Sequence, residues 1–205
     1  ILSNVLIQAK NEKLLIVATD LDIIFEDLIQ SVKIEKEGST TTSANVLYDI
    51  LRKIQAGSEI SFNLSSNNKI NIKSTNSDFN LLCLPPDNFP TFSDNFKEEK
   101  LELDKNRFLA LINKTKISIS NDDTRHYLNG IFFHISESNK NSFLTGVATD
   151  SHRLSSCSMP ISSNINFPSI MLPKKTVYQL SNLLNESKDK VFLSSSSSKI
   201  QFDIG

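Results

Sequence analysis

The chain lacks the features of a membrane protein, a disulfide-stapled protein and a phosphate-loop enzyme. None of the apolar runs in its 205 residues approaches the roughly 20 residues that a membrane-spanning helix needs, and no secretory signal opens the sequence. Tryptophan is absent, and the two cysteines, Cys83 and Cys157, belong to no Cys-x-x-Cys pair. This scarcity favours a reduced, cytoplasmic protein. The five glycines form no glycine-rich phosphate loop.

Clustered metal ligands and an excess of positive charge are also missing. The three histidines, His126, His134 and His152, lie far apart in the sequence, so neither a metal site nor a cofactor is predicted. The formal net charge of -1 argues against a protein that binds nucleic acid through overall basicity. It leaves room for a local basic patch that acidic residues elsewhere offset.

An internal repeat organises what is present. Val-Ala-Thr-Asp stands at residues 17–20 and again at 147–150, an offset of 130 (147 − 17). The same offset continues downstream, where it sets Phe62 against Phe192. A period this long indicates a duplicated domain rather than stacked short repeats.

Upstream of the repeated motif the offset is shorter. Residues 2–4 resemble residues 128–130, which gives an offset of 126 (128 − 2). The four-residue difference predicts a longer hairpin loop around residues 137–142 in the second copy.

The repeat divides the chain into two predicted domains, 1–97 and 98–205, each large enough to bury a modest core. The sequence opens at Ile1 inside a strand pattern without an initiator methionine, and it stops at Gly205, which aligns with Thr75 of the first copy. We therefore expect the first domain to lack its N-terminal part and the second domain its C-terminal part.

Hydrophobic periodicity predicts many short strands and three helices. The strands are expected at 1–9, 13–19, 22–26, 28–32, 78–84 and 100–103, and in pairs within 59–73 and 189–203. One helix is predicted from an N-cap at Ser43 to about Ile54, another follows an N-cap at Asp104, and the third lies near Lys174. Because strands and helices do not alternate, the pattern predicts an α+β fold with antiparallel sheets and the helices on one face.

Basic residues occupy polar positions in all three predicted helices. They are Arg52 and Lys53 in the first helix, Lys105, Arg107, Lys114 and Lys116 in the second, and Lys174 and Lys175 in the third. In a single helix such residues indicate no more than a solvated face. Their presence in three helices favours a basic layer that meets an anionic partner.

Asp150, Ser151 and His152 have the residue types of a nucleophilic triad. Adjacent residues on an extended strand point to alternate faces, so they are not expected to form a hydrogen-bonded series. No catalytic residue is predicted, and a hydrolase that uses Asp150 and His152 is the weaker alternative.

A second polar cluster lies on the predicted loop that follows the second helix. Arg125, His126 and Tyr127 stand together there. Arginine beside an aromatic residue suits phosphate contact and stacking on bases or sugars. The same residue types also suit an ordinary polar connection.

Residues 147–154, Val-Ala-Thr-Asp-Ser-His-Arg-Leu, resemble the Val-Ala-Thr-Asp-Gly-His-Arg-Leu signature of the bacterial DNA polymerase III β-subunit family, the sliding clamps. Further similar segments occur in family order at 18–22, 84–90, 125–130 and 171–177. The resemblance implies a DNA-clamp fold with three repeated domains per subunit, the third of which would be absent from this chain. Two subunits would close head to tail into a ring, with antiparallel sheets outside and helices lining a hole for duplex DNA.

The resemblance also implies a function and a set of site residues. The family is a non-catalytic processivity factor of cytoplasmic DNA replication, and Arg125, His126 and Tyr127 would contact double-stranded DNA without sequence preference. His126 stands where the family often has a tyrosine. An open-chain DNA-binding protein without ring topology is the alternative.

A pocket for partner proteins is implied beside the signature. It would capture a short Gln- and Leu/Phe-containing motif from the replicative polymerase α subunit, the clamp loader and repair polymerases. Its implied residues are Leu128, Thr149, Ser151, His152, Arg153 and Leu154. Ser151 takes the place of the family's usual glycine, and the opposite wall would come from the third domain.

Overall fold

The computed structural model describes residues 1–65, 68–90, 92, 96, 100–161, 167–186, 190–196 and 199–204. The chain forms two compact units, unit 1 (Ile1–Phe92) and unit 2 (Ser93–Gly205). The boundary predicted between residues 97 and 98 lies outside the described residues and stays a prediction.

Unit 1 is an antiparallel sheet packed against one described α-helix. Its elements are β1 (Asn4–Lys10), β2 (Lys13–Thr19), β3 (Ile24–Ile29), β4 (Gly38–Ser43), α1 (Ala44–Leu51), β5 (Ser61–Ser65), β6 (Lys69–Ser74) and β7 (Ser77–Leu84). The seven strands follow the order β3-β2-β1-β4-β7-β6-β5. Apolar side chains from α1 and the sheet, among them Ile7, Leu47, Ile50 and Ile72, form the core.

Unit 2 has two antiparallel sheets and two described α-helices. Its elements are β8 (Leu101–Asp104), α2 (Lys105–Thr115), β9 (Gly130–Ser138), β10 (Asn141–Thr149), β11 (Leu154–Ile161), β12 (Ile170–Pro173), α3 (Lys174–Glu186), β13 (Lys190–Ser195) and β14 (Ile200–Asp203). The sheets follow the orders β11-β10-β9-β12 and β14-β13-β8. Phe108, Ile112, Leu144 and Val177 are buried in one core. The predicted α+β class with antiparallel sheets is confirmed.

The sequence predicts both the start of helix α2 and the face that it buries. The Asp104 carboxylate accepts a hydrogen bond from the Arg107 backbone N–H at 2.8 Å, so the predicted N-cap is confirmed. Phe108, Leu111 and Ile112 recur at helical spacing and are fully buried.

Helices α1 and α2 end earlier than predicted. Helix α1 stops at Leu51, and the bonds from Lys53 N to Ile50 O and from Ile54 N to Leu51 O form a tighter turn. Lys116 likewise lies in a 3-10 turn after α2. The basic residues Arg52, Lys53 and Lys116 therefore lie just beyond the helices to which the sequence assigned them.

Two strand predictions in unit 1 are wrong. A single strand, β3, replaces the predicted strands 22–26 and 28–32, because Asp27 pairs with Ile16 and leaves no break in the ladder. Strand β4 was not predicted, since it is rich in Ser and Thr and shows no apolar alternation. Its buried Thr41 and Thr42 donate hydroxyl bonds to Leu84 O and Leu82 O.

Strand register confirms the repeat. Leu14 pairs with Ile29 in unit 1 and Leu144 with Met159 in unit 2, so both partners move by 130. Leu6 pairs with Val17, and Phe132 pairs with Val147. In that hairpin the first strand moves by 126 (132 − 6) and the second by 130 (147 − 17), as the sequence indicates.

The four additional residues of the second copy lie in strands, not in a loop. Each hairpin turns on two residues with positive φ, Asn11-Glu12 in unit 1 and Asn139-Lys140 in unit 2, as two-residue type I′ turns require. Strands β1 and β2 have 7 residues each, whereas β9 and β10 have 9 each. The predicted longer loop is therefore wrong.

The correspondence of Phe62 with Phe192 is wrong by one position. Phe62 pairs with Ile72, whereas Leu193 pairs with Phe202 and Phe192 with Asp203. Phe62 and Ile72 both belong to the unit 1 core, and Leu193 and Phe202 both belong to the unit 2 core. These core-facing partners are 10 residues apart in unit 1 (72 − 62) and 9 apart in unit 2 (202 − 193), so Phe62 corresponds to Leu193.

Gly146 of β10 lies against the Leu111 side chain of α2. A Cβ there would be 2.6 Å from Leu111 Cδ2 and 3.2 Å from both Ile131 Cγ2 and Phe133 Cε1. We therefore expect Gly146→Ala to lower the free energy of unfolding by about 1–3 kcal/mol through overpacking, measured by urea denaturation. Gly38→Ala is the matched control, because a Cβ at Gly38 meets nothing within 4 Å. Equal stability of the two variants would contradict the prediction.

Candidate functional site

Residues 149–153 close a turn between β10 and β11. The Thr149 hydroxyl donates to Arg153 O at 2.8 Å and accepts from Ser151 N at 3.2 Å. One carboxylate oxygen of Asp150 accepts from the backbone N–H groups of His152 and Arg153, each at 3.0 Å. The Thr-Asp pair of the signature therefore builds the turn, and the Thr149 hydroxyl is committed to it.

The same turn occurs in unit 1. Thr19 Oγ1 donates to Ile23 O at 2.8 Å and accepts from Leu21 N at 2.9 Å. Asp20 Oδ1 accepts from Asp22 N and Ile23 N at 3.0 and 2.8 Å. The third residue has nearly the same positive φ in both turns, 80° at Leu21 and 79° at Ser151. The repeated motif thus encodes a backbone structure, and the side chains displayed on it differ.

Asp150 carries its charge in a favourable setting. Its second carboxylate oxygen accepts from Arg153 Nε at 3.0 Å. The backbone N–H groups of His152 and Arg153 contribute most to holding the Asp150 pKa below 3.8, and the Arg153 side chain adds to this. The expected alternation along a strand is wrong, because Asp150, Ser151 and His152 lie in a turn. The carboxylate nevertheless contacts backbone amides and a guanidinium, which is not the geometry of a catalytic series.

The loop at residues 121–129 is also ordered by a carboxylate. Asp122 Oδ1 accepts from Thr124 Oγ1 at 2.6 Å and from Thr124 N at 3.0 Å, and Asp122 Oδ2 accepts from Arg125 Nε at 2.8 Å. The bond from the Thr124 hydroxyl is the largest cause of a lowered Asp122 pKa. This loop presents Arg125 and then enters a 3-10 turn, His126–Leu128.

A side-chain hydrogen bond joins the two sets of predicted site residues, in addition to the backbone bond from Leu128 N to Arg125 O at 2.8 Å. Arg125 Nη1 donates to Ser151 Oγ at 2.8 Å, so a residue assigned to DNA contact touches one assigned to the partner pocket. Around this contact Tyr127 is 70% and Leu154 66% exposed. His126 and Arg153 are exposed as well, while Leu128 is half-buried.

Two residues of this region were not among the predicted site residues. Asp122 orients Arg125, as described, and Lys174 fastens the loop to α3. Lys174 N donates to Asn129 O at 3.0 Å, and its Nζ donates to Asn121 Oδ1. Lys174 is the first residue of α3, where the helix dipole disfavours a cation. A lysine at a helix start is visible in the sequence as Pro173-Lys174-Lys175, and this unfavourable position could have indicated that Lys174 has a specific partner.

Two classes of site find no support in the described parts of the chain. No group of three or more His, Cys, Asp or Glu residues is placed to hold a metal ion there. No helix in those parts has the length and apolar character needed to cross a membrane.

Strands β1–β3 of unit 1 and β9–β11 of unit 2 share their order of pairing and the turn between the last two strands, and the fold is that of the DNA-clamp class. The family model described as the N-terminal domain of the DNA polymerase III beta subunit matches residues 1–93, and that of the central domain matches residues 102–205. The chain belongs to the DNA polymerase III beta subunit family.

Several relatives share this organisation. The beta sliding clamp of Caulobacter vibrioides is 35% identical over 209 residues, and that of Escherichia coli is 32% identical over 205 residues. Each match covers 100% of this chain and 55% of the relative. A crystal structure of a Bartonella birtlesii sliding clamp bound to griselimycin has a TM-score of 0.91 and 38% identity, with 100% of this chain and 55% of that chain covered. The chain spans about half the length of the curated relatives it matches.

We expect Asp150 to titrate below 3.8, because two backbone N–H groups stabilise its charged form. With a depressed folded-state pKa, the stabilisation from this carboxylate is present above its unfolded pKa and is lost as the pH falls through the folded value. NMR detection of the Asp150 carboxyl carbon against pH measures the midpoint.

Arg153→Ala separates the causes of this shift. It removes the guanidinium but keeps the backbone N–H of residue 153. The midpoint should therefore rise only part of the way to 3.8, since backbone hydrogen bonds are the larger cause. A midpoint at 3.8 or above in the unsubstituted protein would show that the turn is not formed as described.

Proposed function

We propose that this protein is a non-catalytic processivity factor, a sliding clamp whose homodimeric ring encircles duplex DNA in the bacterial cytoplasm at replication forks. The observation that carries this proposal is the match of the N-terminal and central beta-subunit domains, in order, to two units in which the repeated turn joins strands of the same register. A closed ring holds DNA by topology, so a tethered polymerase stays at high local concentration near the primer end.

Exposed basic side chains suit a sliding contact. On α2, Arg107 and Lys114 are exposed and lie along the edge of the face that buries Phe108 and Leu111. Lys and Arg bind phosphates without reading bases. Arg125 joins this set in the proposal, with His126 and Tyr127 beside it on the 3-10 turn. Base-specific contacts would stall sliding, and this function needs none.

The turn at 149–153 supplies one side of a proposed docking pocket for a short Gln- and Leu/Phe-containing motif. Leu154 and Leu128 offer apolar surface, and His152 and Arg153 offer a polar rim. Thr149 and Ser151 shape the backbone approach. The proposed partners are the replicative polymerase α subunit, the clamp loader and repair polymerases. Because the opposite wall would come from a third domain, this 205-residue chain should bind such a peptide more weakly than the full-length protein.

A topological hold is tested by cutting the DNA. The full-length protein, loaded by its clamp loader onto a nicked circular plasmid, should stay bound until a single linearising cut and then be lost. The salt concentration is chosen so that circle-bound protein remains in place. Equal retention on circle and line, falling smoothly with salt, would instead indicate electrostatic binding by an open chain.

His152→Ala should weaken peptide docking and leave DNA retention intact. Only the backbone N–H of His152 takes part in the turn, so the substitution removes the ring without removing a bond of the turn. Loss of a polar contact is worth about 0.5–1.5 kcal/mol, which is about two- to tenfold in peptide Kd. Fluorescence anisotropy with a labelled peptide measures it.

Asp22→Ala is the control for this variant. Asp22 occupies the same position of the unit 1 turn, and again its backbone N–H makes the bond of the turn. It should leave the peptide Kd unchanged. Equal losses in the two variants would show that docking does not depend on the unit 2 turn.

A further inference from the structure

We infer that the Arg125–Ser151 hydrogen bond couples DNA contact to partner docking, so that a clamp with DNA in its ring binds partner peptides more tightly than a free clamp. The inference rests on the proposed function. Arg125 and Ser151 thereby regulate the docking pocket, in a positioning role that neither site requires alone.

The contact spans two segments that are distant in sequence. Arg125 lies in the loop held by Asp122 and Lys174, and Ser151 lies in the turn held by Thr149 and Asp150. Each segment is ordered by its own hydrogen bonds. In the described residues the side-chain bond between them is the one from Arg125 Nη1 to Ser151 Oγ at 2.8 Å.

Unit 1 shows that the turn does not need this bond. The turn at 19–23 makes the equivalent side-chain-to-backbone bonds, but it presents an apolar side chain, Leu21, in place of Ser151. Because the turn forms without the Arg125–Ser151 bond, this bond can strengthen or weaken the turn without deciding whether it forms.

The backbone conformation of Ser151 makes the turn sensitive to the Arg125–Ser151 bond. Its φ of 79° lies in the left-handed region, which disfavours any residue with a Cβ. A serine in this conformation carries a steric strain that a glycine would not. Its hydroxyl bond to Arg125 holds it in place against that strain, so the position of Arg125 biases the shape of the pocket rim.

Arg125 can hold Ser151 and a phosphate together. A guanidinium has five N–H donors in a fixed plane, and the bonds to Asp122 Oδ2 and Ser151 Oγ use two of them. A DNA phosphate on the remaining donors would fix the plane, and through it the Ser151 hydroxyl. By linkage, a peptide that holds the turn would strengthen the DNA contact by the same factor.

The test measures the peptide Kd of the full-length protein with and without DNA. The protein is loaded onto a nicked circular plasmid, the clamp loader is removed by gel filtration, and a fluorescein-labelled synthetic peptide with Gln followed by Leu and Phe is titrated against it. We expect the Kd of the free protein to exceed that of the loaded protein about fivefold, at the low end of typical allosteric coupling.

Three variants locate the coupling. Ser151→Gly and Ser151→Ala both remove the hydroxyl, one with and one without relief of the backbone strain, and both should bring the ratio of free to loaded Kd to about one. The ratio is taken within each variant, so a change in its basal affinity does not affect the result. Leu21→Gly, at the same position of the unit 1 turn, should keep the wild-type ratio.

A wild-type ratio of one or less, with both ligands bound, would overturn the coupling while leaving the clamp function standing. A ratio that survives in both Ser151 variants would also overturn it. Failure of the wild-type protein to retain circular DNA or to bind the peptide would refute the proposed function and this inference with it.

Discussion

Burial of one face of each helix against antiparallel strands is the interaction on which the rest of the structure depends. In unit 2, Phe108, Leu111 and Ile112 of α2 are almost inaccessible to solvent. Burying an apolar side chain of this size contributes about 1.5–3 kcal/mol, more than a typical exposed ion pair, about 0–1 kcal/mol. Apolar packing therefore sets the orientation of α2, and the charged side chains occupy the face that remains. The basic surface is therefore a consequence of apolar packing, because the charged side chains occupy positions that the core does not use.

Much of this arrangement could be predicted from local sequence. Asp104 marks the start of α2 because its carboxylate caps the backbone, and register confirms the offset of 130. Strand β4 could not be predicted, since the buried hydroxyls of Thr41 and Thr42 are satisfied by a strand about 40 residues away. The Arg125–Ser151 bond spans 26 residues and leaves no periodic signal. Sequence patterns thus identify elements, while contacts between segments depend on the tertiary fold.

The repeated Ala-Thr-Asp motif separates scaffold from function. Thr19 and Thr149 make equivalent bonds, as do Asp20 and Asp150, so the motif marks where a turn forms twice. The family resemblance, by contrast, extends through the residues after it, where the copies differ. A short motif can therefore be highly diagnostic of a family although its residues serve the backbone.

The longer hairpin of unit 2 bears on how such a domain can change in length. The closing pair is Lys10–Lys13 in unit 1 and Ser138–Asn141 in unit 2, and both hairpins keep a two-residue turn. Narrow and wide pairs alternate along an antiparallel ladder, so moving the turn outward by one pair would place it on the wrong type. The smallest insertion that keeps the turn adds two residues to each strand. A hairpin that keeps this two-residue turn can therefore lengthen only in steps of four residues.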